Sequence, residues 1–94
     1  MHELAVVITP DAEASIDDID AYIARDSPER ARRVKERILA AARSLSILPE
    51  RGRPGEIDDT RELLVKRLPY TIVYTVIDEI VYILGVYDQR PDRP

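Results

Sequence analysis

The chain opens with a short apolar run rich in valine, Glu3 to Ile8, which predicts a strand. The run stops at Thr9-Pro10-Asp11, where Thr9 can cap a helix and Pro10 can fill its first turn. Ala12, Ile16, Ile19 and Ile23 then recur at helical spacing, while Asp11, Glu13, Asp17, Asp18 and Asp20 take the other faces and the positive end of the dipole. An amphipathic helix is expected here. The same start signal returns at Asp26-Ser27-Pro28-Glu29, with Ser27 as cap and Pro28 in first position. The second helix carries Ala31, Val34, Ile38, Ala41 or Ala42, Leu45 and Leu48 on one stripe, and Pro49 closes it. So short a connection makes the two helices fold back as a hairpin.

Arg51-Gly52-Arg53-Pro54-Gly55 predicts a glycine-punctuated loop that Glu56 to Thr60 continues. Arg61 to Val65 resumes a strand pattern, and Lys66 to Pro69 makes a tight connection to the next strand. Tyr70 to Val76 and Ile80 to Tyr87 are built almost wholly from β-branched and aromatic residues, with only Ile77, Asp78 and Glu79 between them, which predicts a hairpin. Along the first of these, Tyr70, Ile72, Tyr74 and Val76 alternate with Thr71, Val73, Thr75 and Ile77. Along the second, Ile80, Tyr82, Leu84 and Val86 alternate with Val81, Ile83, Gly85 and Tyr87. Neither face is strongly polar, so one face should pack on the helices while the other awaits cover. Residues 1–94 are therefore expected to form a single α+β domain: an N-terminal strand, an α-helical hairpin, then a three-stranded antiparallel β-meander.

Ninety-four residues support one core, and such a domain buries roughly two-thirds of the surface of its unfolded chain. Cysteine is absent, which removes disulfides and thiolate metal sites. The start lacks the basic stretch and apolar run of a signal peptide, and no run approaches the roughly 18 apolar residues of a membrane span, so a cytoplasmic protein is expected. A net charge of -4 argues against unaided binding to nucleic acid and makes a protein partner the safer expectation. Arg30, Arg32, Arg33, Lys35, Arg37 and Arg43 crowd the second helix beside an acidic first helix. Salt pairing across the hairpin is the simplest outcome, each exposed pair adding at most about 1 kcal/mol. Recruitment of an acidic segment or a phosphate backbone by that basic face stays open. No glycine-rich phosphate loop, metal-ligand spacing or nucleophile elbow is present, so neither cofactor nor metal is expected.

Four spans, LPERGRPG (Leu48 to Gly55), TRELLV (Thr60 to Val65), LPYTIVYTV (Leu68 to Val76) and IVYILGVYDQR (Ile80 to Arg90), stand in an order and spacing that resemble the ParE and RelE toxin superfamily. The alternation of alanine, isoleucine and tyrosine from Ala12 to Ile23 and the Ser-Pro-Glu helix start extend the likeness over nearly the whole chain, and the ParE or plasmid-stabilisation branch is the nearer one. The resemblance implies the toxin of a type II toxin-antitoxin pair, held in a hetero-oligomer by a cognate antitoxin of the ribbon-helix-helix DNA-binding type whose C-terminal segment wraps it. It also implies one of two targets: DNA gyrase, blocked without hydrolysis, or messenger RNA cleaved on the ribosome. Arg61 and Arg90 match the basic positions of the family and Arg67 lies near a connection that often carries positive charge, so the three are the expected target-binding residues. A ribonuclease would draw on Arg61, Arg90 and Tyr87.

Where many members of the superfamily carry a histidine, a small residue and an arginine, this chain has Asp88, Gln89 and Arg90. General acid–base help is worth roughly 10²- to 10⁴-fold in rate, and neither a carboxyl nor a phenol of ordinary pKa supplies it well at neutrality. His2, the one histidine, reads as an ordinary terminal residue. The acidic balance and the missing imidazole favour the gyrase-directed reading, with the ribonuclease second and a degenerate member retaining only antitoxin binding third. In structural terms Arg61 can pair with Glu56, Asp58 or Asp59, and Arg90 with Asp88 or Asp92, while Tyr70, Tyr74 and Tyr82 read as core or sheet aromatics.

Overall fold

A computed structural model describes residues 2–90. Strand β1 (Ala5–Ile8) leads into helix α1 (Pro10–Ala24) and helix α2 (Pro28–Ser44), followed by β2 (Arg53–Pro54), β3 (Arg61–Leu64), β4 (Tyr70–Ile77) and β5 (Ile80–Asp88). The five strands form one sheet in the order β1-β5-β4-β3-β2. β1 lies parallel to β5, and every other pairing is antiparallel. The expected α+β layering with its meander is present, and the sheet gains one strand. Arg53 and Pro54, expected in a loop, pair with Glu62 and Arg61. Proline is tolerated there because β2 is the sheet edge and Pro54 need donate no ladder bond.

The caps form where the sequence places them. Thr9 Oγ1 accepts from the Ala12 N–H at 3.2 Å and donates to the Ile83 carbonyl at 2.7 Å, so the same hydroxyl starts α1 and ties it to the sheet. Ser27 Oγ accepts from the Arg30 N–H at 3.1 Å and starts α2. Ala12, Ile16, Ile19 and Ile23 of α1 meet Ala31, Val34, Ile38 and Ala42 of α2, and both stripes lie on one face of the sheet. Ile72, Tyr74, Val81 and Ile83 under them are wholly buried. Each such aliphatic side chain contributes about 1.5–3 kcal/mol by leaving water, which holds the helices to this face.

Two local devices depart from the simple alternation. Asp78 and Glu79, with φ of 49° and 64°, make a two-residue turn of the I′ kind, so Ile77 belongs to β4 and pairs with Ile80. Between Val73 and Tyr74 the register slips: Val73 faces Gly85 whereas Tyr74 faces Ile83, leaving Leu84 as the extra residue of a β-bulge. The slip rotates the end of β5, so Val86 joins Val81 and Ile83 in the core in place of Gly85. The Val86 N–H donates to Ser15 Oγ at 2.9 Å, and Ser15 in turn donates to the Ala12 carbonyl. A serine on the buried side of α1 thus satisfies a backbone group that the bulge turns toward the helices.

The expected salt pairing across the helical hairpin is thin. Among the described residues one ion pair joins the helices, Lys35 to Asp17 at 3.8 Å. Arg32, Arg33 and Arg43 sit on the side of α2 opposite its apolar stripe, where α1 is out of reach.

Candidate functional site

The sheet face turned away from the helices is the candidate site. Strand alternation and the observed register place Val7, Thr75, Ile77, Val73, Thr71 and Leu64 there, with Arg53 and Glu62 at one edge and Tyr87 across from Thr71. Val7, Leu64, Ile77 and Tyr87 are exposed, as is Ile57 in the loop before β3. A run of exposed aliphatic side chains on a sheet is a mark of an interaction surface. Tyr87 lies across Gly85, where an added Cβ would stand 2.5 Å from its hydroxyl, so the glycine is what lets the ring lie flat on the strand. Thr71, opposite Tyr87, is 3% exposed. Beside them a shallow depression of about 390 Å³ is bounded by Ile57, Thr60, Glu62, Val73 and Gln89. Arg53 Nη2 donates to Glu62 Oε1 at 3.1 Å on its rim.

Arg61 lies on the other face, opposite Tyr74 in the register. Its Nη1 donates to the carbonyls of Gly52, at 2.7 Å, and Glu50, at 3.3 Å, and not to the acids from Glu56 to Asp59 expected as partners. Tyr74 works on the same loop: its hydroxyl donates to the Pro49 carbonyl at 2.8 Å and accepts from the Gly52 N–H at 2.9 Å. Burial raises the Tyr74 phenol above its ordinary pKa, while the Gly52 N–H and then the charge of Arg61 pull it back. Gly52 has no room for a side chain, since a Cβ would come within 2.8 Å of the Tyr74 hydroxyl and 2.9 Å of the Glu62 carbonyl. Arg61 and Tyr74 therefore fasten the loop that carries the exposed Ile47 and Leu48.

Arg90 is held at the other end of the helix-side face. Nη2 and Nε donate to the two carboxylate oxygens of Asp88 at 2.6 and 3.0 Å, and the guanidinium lies 6.0 Å from the centre of the Tyr70 ring. The Asp88 side chain is 3% exposed, and its hydrogen bond raises the Arg90 pKa. The expected Asp88 pairing is thus formed, whereas Asp92 lies outside the described residues. Arg67 is exposed, sits at φ 64° in the turn between β3 and β4, and has no ion pair among the described residues. His2 is exposed and bonds Glu79 at 2.9 Å.

These residues do not converge. Tyr87 is on the open face, and Arg61 and Arg90 are on the helix side. Arg61 is level with Tyr74 and Asp88 with Tyr70, a separation of four β4 residues, or roughly 13 Å along the strand. Tyr70 and Tyr74 are core aromatics, as their positions in the alternation imply, and Tyr82 is half-buried on the open face. Sequence reasoning missed the fastening of the Pro49–Gly52 loop, for which Gly52 was the one available hint. Among the described residues no three His, Asp or Glu side chains group to hold a metal ion, and no helix is long and apolar enough to cross a membrane.

Comparison with known proteins bears on this arrangement. The family described as ParE toxin of type II toxin-antitoxin system, parDE, matches residues 6–93. Y4kP of Sinorhizobium fredii, whose name provisionally assigns it as a toxin, is 41% identical over 78 residues, 81% of each chain. Toxin RelE2 of Caulobacter vibrioides is 42% identical over 81 residues, 86% of this chain and 90% of that one. The chromosomal ParDE toxin-antitoxin system of P. aeruginosa contains a chain that superposes with a TM-score of 0.85 at 26% identity, covering 96% of this chain and all of that one. A chain of the RelBE2 toxin-antitoxin complex of Mycobacterium tuberculosis superposes at 0.70, also with 26% identity, covering 98% and 97%.

Proposed function

We propose that this chain, which belongs to the family of ParE toxins of type II toxin-antitoxin systems, blocks DNA gyrase in the cytoplasm and is neutralised by direct binding of a cognate antitoxin of the ribbon-helix-helix type. The observation that carries the choice of target is the dispersal of Arg61, Arg90 and Tyr87. Ribonuclease chemistry needs a proton acceptor and a phosphate-stabilising cation within hydrogen-bond reach of one scissile group. Here Arg90 is neutralised by Asp88 and Arg61 is occupied by backbone carbonyls, on the face opposite Tyr87. A steric inhibitor needs no such convergence. Antitoxin binding is supported by the uncovered face carrying Val7, Leu64, Ile77 and Tyr87, and by similarity to chains solved within toxin-antitoxin systems.

Arg61, Arg67 and Arg90 are carried forward as target-binding residues, with Arg67 foremost because its guanidinium is exposed and unpaired among the described residues. Cells producing the chain alone are expected to stop growing, and co-production of the antitoxin to restore growth. Purified chain is expected to inhibit gyrase supercoiling while leaving transcripts in a translating extract intact, and Arg67→Ala to weaken that inhibition. Cleaved transcripts with normal supercoiling would instead favour the ribosome-dependent ribonuclease, a reading supported by 42% identity to a protein named Toxin RelE2. Antitoxin binding with neither effect would mark a degenerate member.

A further inference from the structure

The open face does not end at the edge of the sheet. β2 pairs only with Arg61 and Glu62, so the outer edge of Leu63 and Leu64 has no strand neighbour. The depression beside Tyr87 continues past this gap: its Glu62, Thr71 and Gln89 also border a second hollow that reaches Arg51, Leu63 and Leu64. Those last three in turn line a groove between β3 and α2. One continuous track thus runs from the open face, over the exposed Leu64, to the flank of α2. Its character changes along the way. The final stretch has an aliphatic floor that includes Ala40, Ala41 and Val65, and its charges are Arg37, Arg51 and Lys66, with no carboxylate among its lining residues. Arg37 donates to the Lys66 carbonyl and Arg51 Nη1 to Ser44 Oγ at 2.8 Å, so both are held in place by neutral acceptors and keep their charge unbalanced.

We propose that this groove receives an extended, acidic and aliphatic segment of the antitoxin, lying over Leu64 and presenting its carboxylates to Arg37, Arg51 and Lys66. The inference rests on the antitoxin reading given above and names where one part of that partner lies and what chemistry it has. A peptide is favoured over single-stranded nucleic acid because the groove offers no aromatic ring for a base to stack on. The helix layer stands about 10 Å from the sheet and extended chain advances about 3.3 Å per residue, so roughly three residues make the passage. The free edge at Leu64 offers such a strand backbone hydrogen bonds, and arginine pairs carboxylates in bidentate fashion.

The test is fluorescence anisotropy with a labelled peptide of alternating leucine and glutamate, its leucine–glutamine counterpart and a labelled oligouridylate. The glutamate peptide is expected to bind roughly tenfold more tightly than the glutamine peptide at low salt, and to lose that margin as salt is added. Arg37→Glu combined with Lys66→Glu is expected to abolish the margin. Lys66→Glu alone, whose side chain makes no hydrogen bond or ion pair among the described residues, should reduce it. Arg32→Glu combined with Arg43→Glu makes the same charge change on the side of α2 turned away from the groove and should leave it intact. Equal loss from both double variants, an unchanged margin in the groove variants, or tighter binding of oligouridylate that displaces the peptide would each overturn the proposal. If the purified antitoxin binds the Arg37/Lys66 variant as it binds the wild type, the groove assignment fails and the antitoxin reading stands. If it does not bind the wild type, both fail.

Discussion

The two faces of the sheet are made from nearly the same kind of residue and have opposite fates. On the helix side Ile72, Val81 and Ile83 are wholly buried, whereas on the other side Val7, Leu64 and Ile77 are exposed. β-Branched side chains suit either environment, so strand composition does not choose between them. The choice comes from the helices, whose stripes of Ala12, Ile16, Ile19 and Ile23, and of Ala31, Val34, Ile38 and Ala42, cover one face and suffice for only one. What is left over is exposed aliphatic surface, the face to which the proposed function assigns the antitoxin. In this domain the buried core therefore takes one side of the strands and leaves the other side of the same strands uncovered.

The sharpest way to break that comparison is to truncate one residue on each side. Ile72→Ala is expected to cost about 2–5 kcal/mol in urea denaturation, because the wholly buried site cannot collapse around the lost atoms. A cost no larger than that of Ile77→Ala would mean that the covered face is not the stabilising one. Next in size is the fastening of the loop after α2. Tyr74→Phe removes the donor to the Pro49 carbonyl and leaves the Gly52 N–H without its acceptor, which is expected to cost about 1–3 kcal/mol. Adding Arg61→Ala should cost less than the two single effects summed, since both act on Gly52.

Alkali probes the same phenol. Burial raises the Tyr74 pKa, so the folded state favours the neutral form more than the unfolded state does. That contribution is fully present below the ordinary phenol pKa, about 10, and is lost as pH rises through the higher folded value. Wild type should therefore lose stability above that pH more steeply than Tyr74→Phe, as measured by denaturation at a series of alkaline pH values. Smallest are changes on the open face: Leu64→Ser or Ile77→Ser should shift the stability of the isolated chain by no more than about 0.5 kcal/mol. The same changes should weaken the antitoxin complex, which calorimetry on both species would show.

Arg61 and Arg90 extend the contrast to the charged residues. Both were singled out in the sequence through the resemblance to the superfamily, and both are drawn to the helix side, where one holds a loop and the other is closed on Asp88. The pairing of Arg90 with Asp88 was readable because the two are only two residues apart. The hold of Arg61 on Gly52 and Glu50 was not, since sequence ranks nearby carboxylates as partners and says nothing of a backbone carbonyl brought close by a distant tyrosine. The groove between β3 and α2 was equally hidden. Arg37, Arg51 and Lys66 are far apart in the chain and meet only because α2 packs beside β3.

By itself the sequence determined the elements that depend on neighbours: the Thr9 and Ser27 caps, the two helical stripes, the Tyr70–Tyr87 hairpin and the α+β order, each written in a local period or a local hydrogen bond. Tertiary structure alone decided what depends on groups far apart along the chain. That includes the parallel seating of β1, the pairing of β2, the bulge at Leu84 that sends Val86 inward, and the face each arginine takes. Alternation has a period of two and labels both faces of a strand alike until a helix arrives to bury one of them.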